Sequence, residues 1–299
     1  MTLLLIALVG FVAQLIDGAI GMAFGITSMS ALLAIGYGPA AASAIVHVVK
    51  IGTGIASGAF HARFGNVDGR AMLTVALPGA VGAFGGAVLL SSIDLSAASP
   101  WTAALLMGLG VLVLVRFAGA GVIGIVRRAQ ARWLAPLGLV GGFVDATGGG
   151  GWGPIVTTSL TASNAFSPRR AIGTANAAEA IVALAASAGF LVGLGTSGID
   201  WLAVLALLGG GLLAAPLAAK LVSIAPQRLL GLATGGLVVV LNARQLAVSL
   251  DAPVAVVIAA VALACAGWAA ALVRGWRHHR DESRSAHAAP DDALEHERD

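Results

Sequence analysis

Charge is scarce in this chain, and so are the residues from which catalytic and metal sites are usually built. Only 10% of the 299 residues are charged, where an ordinary soluble domain carries about 25%. The single cysteine, Cys265, excludes a disulfide framework within the chain, and no Cys/His cluster has the spacing of a zinc site. There is no Gly-x-x-x-x-Gly-Lys-Ser/Thr loop, so the chain is not expected to hydrolyse ATP itself. His-Glu-x-x-His, Gly-x-Ser-x-Gly and a protease-like pair of aspartates are also missing. An intramembrane enzyme is therefore a remote alternative, with His47 and Ser43 on one helix face its nearest approach to a base and nucleophile. The opening Met1-Thr2-Leu3-Leu4-Leu5 lacks the basic start of a cleaved signal peptide and is expected to be retained. No cofactor is called for. The pI near 9.7 does not point to nucleic acid, because the arginines fall at the ends of apolar segments.

What is abundant is hydrophobic sequence, at 58%. Several apolar runs reach about 18 residues, the length read as membrane-spanning. Spanning helices are predicted over 40–60, 71–90, 101–118, 170–190, 201–222, 228–245 and 254–274. Two further apolar stretches, 2–36 and 133–163, are broken near their middles by Asp17–Gly21 and Asp145–Gly151. Each half-segment has about 15 residues, or roughly 22 Å of helix, which is short for a full crossing. Each stretch is predicted to be a hairpin of two short helices with its glycine tip deep in the membrane. Irregular backbone is tolerated at that depth only when protein covers it or it lines a cavity.

The chain repeats itself. Leu15-Ile16-Asp17-Gly18-Ala19-Ile20-Gly21-Met22-Ala23-Phe24-Gly25 returns as Phe143-Val144-Asp145-Ala146-Thr147-Gly148-Gly149-Gly150-Gly151-Trp152-Gly153. Pro39 aligns with Pro168, and Val67-Asp68 with Ile199-Asp200. The expected organisation is a first membrane repeat (1–118), a basic connection (119–132), a second repeat (133–245), an additional helix (246–274) and a disordered tail (275–299). The basic connections hold Arg63 and Arg70, Arg127, Arg128 and Arg132, Arg169 and Arg170, Lys220 and Arg228, and Arg274, Arg277 and Arg280, while 91–100, 191–200 and 246–253 contain no Lys or Arg. Basic connections stay in the cytoplasm. The predicted N-terminus is therefore periplasmic, the C-terminus cytoplasmic, and the second copy inverted, since each repeat crosses an odd number of times. The fold class is all-α and polytopic, built from two inverted-topology repeats. Each is a broken, re-entrant hairpin plus three transmembrane helices, and one helix is appended.

Inverted repeats with matching glycine breaks point to a transport site where the breaks meet. The arms that follow the tips start near Met22 and Gly151, and their first N–H groups, with the positive end of the helix dipole, would suit an anion. The candidate substrate-binding residues are Gly21, Met22, Thr27, His47, Lys50, Thr147, Gly149, Gly150, Gly151, Trp152 and Asn176, with Ser28, Thr157 and Thr158 as further hydroxyls. Gly21–Gly25 and Gly149–Gly153 also fit the small-xxx-small pattern of helix packing. Ionisable residues inside a span are costly and need a reason. Lys50 and His47 share a helix face and suit an anion, whereas Glu179, aligned with Lys50, could balance charge, carry a proton or simply pair with Lys50. Asp17 and Asp145 could cap the glycine turns or take part in coupling.

The stretch Gly141-Gly142-Phe143-Val144-Asp145-Ala146-Thr147-Gly148-Gly149-Gly150-Gly151-Trp152-Gly153-Pro154 resembles the glycine-rich motif of the sulfite exporter TauE/SafE family, as do its counterpart at Gly10–Gly25 and the segment Ser57–Asp68 with His61 and Gly65. The first copy departs from the pattern at Ile20 and Met22 and has no Pro after Gly25. The resemblance spans about residues 5–270. It implies a permease of the bacterial inner membrane for a small anion, often sulfite, a sulfonate or a related sulfur-containing acid. The expected partners are that anion, the lipid bilayer and a proton or sodium ion for coupling, with homo-oligomers compatible and no nucleic acid. An anion channel is the alternative that would share such a site.

Overall fold

The computed structural model describes residues 2–119, 131–162, 166–224 and 226–288, and among these there is no β-strand. The helices are α1 (Thr2–Ile20), α2 (Phe24–Ile35), α3 (Pro39–Arg63), α4 (Gly69–Ser92), α5 (Leu95–Phe117), α6 (Ala131–Gly148), α7 (Thr158–Ala162), α8 (Pro168–Leu194), α9 (Trp201–Ile224), α10 (Gln227–Ser249) and α11 (Val254–Ala288). A π-helical turn, Gly153–Thr157, leads into α7. Seven of the described helices are long and apolar enough to cross a bilayer, and they coincide with the seven expected spans.

The broken segments fall where the glycines stand, but their arms are unequal. Instead of two arms of about 22 Å, α1 has 19 residues and α2 only 12. In the second copy α6 has 18 residues, and the return consists of the five-residue π turn and the five-residue α7. The first arms are long because each lies along a full-length helix with glycines at the contact. A Cβ on Gly10 would sit 2.1 Å from the Leu207 carbonyl oxygen, and one on Gly142 would sit 2.0 Å from that of Gly79. Small residues of this kind let helix backbones approach closely in a membrane.

Packing is reciprocal between the halves. α1 lies along α9 in the second half, and α6 lies along α4 in the first. α3 crosses α8 antiparallel, with Gly54 against Ala180 and Gly58 against Ala177, and α5 crosses α10 in the same way through Gly110 and Gly235. One pairing breaks the pattern. α4 packs extensively along α8, whereas the corresponding helices α9 and α3 touch only lightly. The gap left between the α1–α9 pair and the α3–α8 pair is where the central cavity lies.

Two parts of the predicted organisation differ or fall outside the description. The tail expected to be disordered from 275 is helical through Ala288. After Gly275 the sequence holds no Gly or Pro until Pro290, so nothing breaks the continuation of α11. Most of the basic connection at 119–132, including Arg127 and Arg128, and the end of the tail lie outside the described residues.

Candidate functional site

Each glycine break is built in the same way. Asp17 stands seven residues before Phe24, and its Oδ1 accepts the N–H groups of Ala23 at 2.6 Å and Phe24 at 2.9 Å. Asp145 stands seven residues before Trp152 and accepts its N–H at 3.0 Å. Four residues after each aspartate is a glycine with positive φ, Gly21 at 75° and Gly149 at 73°, the left-handed conformation that glycine adopts without a Cβ penalty. The aspartates thus cap the arms that follow the tips. In doing so they take the very amides that a helix-end anion site would need first.

The tips touch backbone to backbone. A Cβ on Gly25 would lie 2.6 Å from the Gly149 carbonyl oxygen, one on Gly150 would lie 2.2 Å from the Ile26 nitrogen, and one on Gly153 would lie 2.7 Å from the Met22 Cβ. Gly25, Gly150 and Gly153 therefore pack between the two breaks, whereas Gly21 makes no such contact. A contrast tests this. Gly150→Ala must push backbone apart and is expected to cost about 1–3 kcal/mol of stability, as overpacking does. Gly21→Ala meets nothing within 4 Å and carries only the penalty of its positive φ, about 1 kcal/mol. Equal thermal melting of the two variants would contradict the tip-to-tip contact.

A chain of ionisable side chains runs from the interior to the cavity. The Lys50 ammonium donates to both oxygens of Asp145, at 2.9 and 2.8 Å, and lies 2.7 Å from Glu179 Oε1. His47 Nε2 is 3.2 Å from Asp145 Oδ2, and its Nδ1 is 2.8 Å from the Ser43 carbonyl oxygen. A carbonyl only accepts, so Nδ1 carries a proton. The contact with Asp145 needs a second proton, on Nε2 or on the carboxylate. His47 and Asp145 are fully buried, whereas the Glu179 side chain is 23% exposed and faces the cavity. Ser43 donates to the Ala146 carbonyl and Thr102 to that of Thr147. These bonds fix the end of α6, and with it Asp145, against α3 and α5.

The cavity measures about 530 Å³. Its walls include Asp17, Gly21, Met22, Gly150, Lys50, Asn176 and Glu179. Of the other predicted residues, Gly149, Gly151, Thr147 and Trp152 lie behind the tip rather than on the cavity wall. Trp152 is fully buried and donates its indole N–H to the Ala175 carbonyl at 2.9 Å, while Thr147 Oγ1 bonds back to the Phe143 carbonyl. Thr27 lines a lateral apolar cleft with Leu5 and Leu8. Thr157 lines the central cavity. Asn176 donates to Ser57 Oγ at 3.1 Å, tying α8 to α3.

The structure adds Arg116, which stands near the end of α5 and also lines the cavity. Its guanidinium lies 3.1 Å from the Met22 sulfur, donates to Thr158 Oγ1 and sits 5.6 Å from the Phe117 ring centroid. Among the described residues no carboxylate lies within ion-pair distance of it. Every carboxylate near Lys50 is already engaged, so Arg116 is the cavity cation with charge to spare. Its position one residue before the end of α5 hides it from a reading that ranks charges by depth. The sequence signal was an arginine closing the apolar run from Leu105 to Val115.

The cavity opens at one end of the bundle. His61, Ile172 and Gln227 on its wall stand at the ends of α3, α8 and α10 that carry Arg63, Arg169, Arg170 and Arg228. At that end Asp68 caps α4 and accepts from Arg170 at 3.1 Å. Its sequence counterpart Asp200 accepts the Ala203 N–H of α9 and, at the opposite end, the Tyr37 hydroxyl at 2.8 Å. The Ala203 amide, followed by Tyr37, holds the Asp200 carboxyl below its ordinary range. Burial and then the bond to Asp200 push the Tyr37 hydroxyl up to about 12. The clasp is present above the carboxylate's lowered range and is lost as pH falls through it. Tyr37→Phe is expected to lose the low end of about 0.5–1.5 kcal/mol because the bond is exposed. That would raise the fraction in which this contact is broken about twofold. Melting of Tyr37→Phe indistinguishable from that of the wild type would show that the contact contributes nothing.

A bundle of membrane-length helices around a central, one-sidedly open cavity at two broken helices is the architecture of a polytopic membrane transporter. The chain belongs to the sulfite exporter TauE/SafE family, whose model matches residues 6–245. It is 43% identical over 247 residues, 82% of each chain, to "Probable membrane transporter protein YtnM" of Bacillus subtilis (strain 168). No solved structure matches it.

Proposed function

We propose that this membrane transporter carries a small anion, sulfite, a sulfonate or another sulfur-containing or carboxylate anion, across the bacterial inner membrane by alternating access. The observation that carries the reading is Arg116, a cation without a carboxylate partner among the described residues, on the wall of a cavity of about 530 Å³. A guanidinium presents the planar fork that recognises oxyanions, and Thr157 on the same wall offers a hydroxyl.

The reciprocal packing of α1 on α9 and of α6 on α4 supports two inverted-topology repeats, for which rocking of one half against the other exchanges access. The exception to that reciprocity, α4 close on α8 with α9 away from α3, fits one end state of such a cycle. With the basic end in the cytoplasm, that state faces inward and the C-terminus is cytoplasmic. A cavity closed at its far end favours a carrier over a channel. The run from His47 through Asp145 and Lys50 to Glu179 supports proton coupling. Counting the one proton that the His47–Asp145 contact requires, the carboxylates Asp17, Asp145 and Glu179 and the cations Lys50 and Arg116 sum to no net charge, so an arriving anion is favoured when a proton accompanies it.

The test is a thermal-shift screen of purified protein against sulfite, thiosulfate, sulfoacetate, taurine, sulfate and small carboxylates. Stabilisation by at least one sulfur oxyanion or carboxylate is expected, lost on Arg116→Gln. Stabilisation only by cations or neutral solutes would contradict the reading.

A further inference from the structure

We infer that the groove between α10 and α11 at the basic end is a binding site for one anionic phospholipid. α11 rests on α10 and makes no other substantial helix contact among the described elements. The two helices touch where Trp268 donates its indole N–H to the Leu232 carbonyl at 3.1 Å and where Gly275 meets Leu232. At the basic end the two helices line a groove of about 920 Å³. Leu229, Leu230, Leu272 and Val273 form its walls, and Trp276, Arg277 and Arg280 stand at its mouth.

From Val254 to Arg274 no residue of α11 is buried within the protein, so the groove faces the bilayer. Acyl chains suit its apolar walls, and an exposed Trp276 suits the depth of the headgroups, where tryptophan collects. Arg277 and Arg280 are three apart and share a helix face. Both are exposed, and among the residues whose side chains are described neither has an acidic partner. Two guanidiniums at the mouth of an apolar slot match a phosphodiester that carries net negative charge. Phosphatidylcholine would bring its own cation against them, and free phosphate would leave the apolar walls unused. A second copy of the chain would need to supply carboxylates at this depth.

The experiment uses the delipidated full chain in detergent, with dioleoyl phosphatidylglycerol and dioleoyl phosphatidylcholine titrated separately. Binding is read by native mass spectrometry and thermal shift. A one-to-one phosphatidylglycerol adduct on a monomer is expected, with a higher melting temperature, and phosphatidylcholine should give neither. Arg277→Ala with Arg280→Ala should weaken phosphatidylglycerol binding about 25-fold, about fivefold for each arginine near an anionic lipid. Leu230→Trp, which fills the groove with both arginines intact, should weaken it as well. Equal binding of the two lipids, undiminished binding in the arginine double variant, or a dimer that displaces the lipid would overturn the inference. None of these results depends on Arg116 or on which anion is transported.

Discussion

Arg116→Gln is expected to abolish saturable anion uptake while the protein still inserts and melts near the wild-type temperature. The guanidinium touches Met22, Thr158 and the Phe117 ring. Its removal leaves no buried carboxylate unpaired, so little stability is at stake. Its value to a bound anion is that of a hydrogen bond to a charged group, about 1.5–3 kcal/mol for each bond lost. Two such bonds from one guanidinium would weaken binding by roughly two to four powers of ten. Arg116→Lys keeps the charge but not the fork, and should retain part of the affinity. Wild-type uptake by Arg116→Gln would remove the arginine from the site.

Lys50→Met should do the opposite and injure the fold first. Lys50 is 5% exposed and holds both Asp145 and Glu179. Taking one partner from a buried ion pair typically costs about 3–5 kcal/mol, because the remaining charge stays buried without compensation. Which second change rescues it is informative. Glu179 reaches the cavity and can meet water there, whereas Asp145 is fully buried. Lys50→Met with Asp145→Asn should therefore regain more stability than Lys50→Met with Glu179→Gln. Asn keeps an oxygen for the Trp152 N–H and an amide for His47 Nε2. Glu179→Gln alone should melt near the wild type but carry anion without the accompanying proton, read as loss of anion-driven pH change in liposomes. Equal rescue by the two double variants would show that Asp145 and Glu179 are equivalent partners. Proton flux undiminished in Glu179→Gln would sink its coupling role.

The spans were legible because length and hydrophobicity suffice to define them, and Asp68 and Asp200 were legible as a pair because both open a helix. The aspartate caps could be read from a motif that recurs in phase at Asp17 and Asp145. Lys50 shows where a sequence reading stops. Repeat alignment sets it opposite Glu179, and the two do meet. Its other partner, Asp145, sits 95 residues away at the end of α6, and only the packing of α6 on α4 brings it there. Thr147, Gly151 and Trp152 share the motif's composition with Gly150, yet a turn has two sides and they fall on the inner one. Nor could repetition in sequence reveal the unequal pairings α4–α8 and α3–α9. In the alternating-access cycle proposed above, that difference belongs to one end state. Arg116 depends on which way a side chain near a helix end turns, and no spacing rule fixes that.

The most direct test of a carrier with this anion site is counterflow in proteoliposomes loaded with unlabelled thiosulfate and diluted into a trace of labelled thiosulfate, run beside sulfite and sulfoacetate. The account predicts transient accumulation of label for at least one of these anions, saturating with concentration and absent in Arg116→Gln. Label that merely equilibrates in proportion to concentration, or accumulation that survives loss of the arginine, would contradict it.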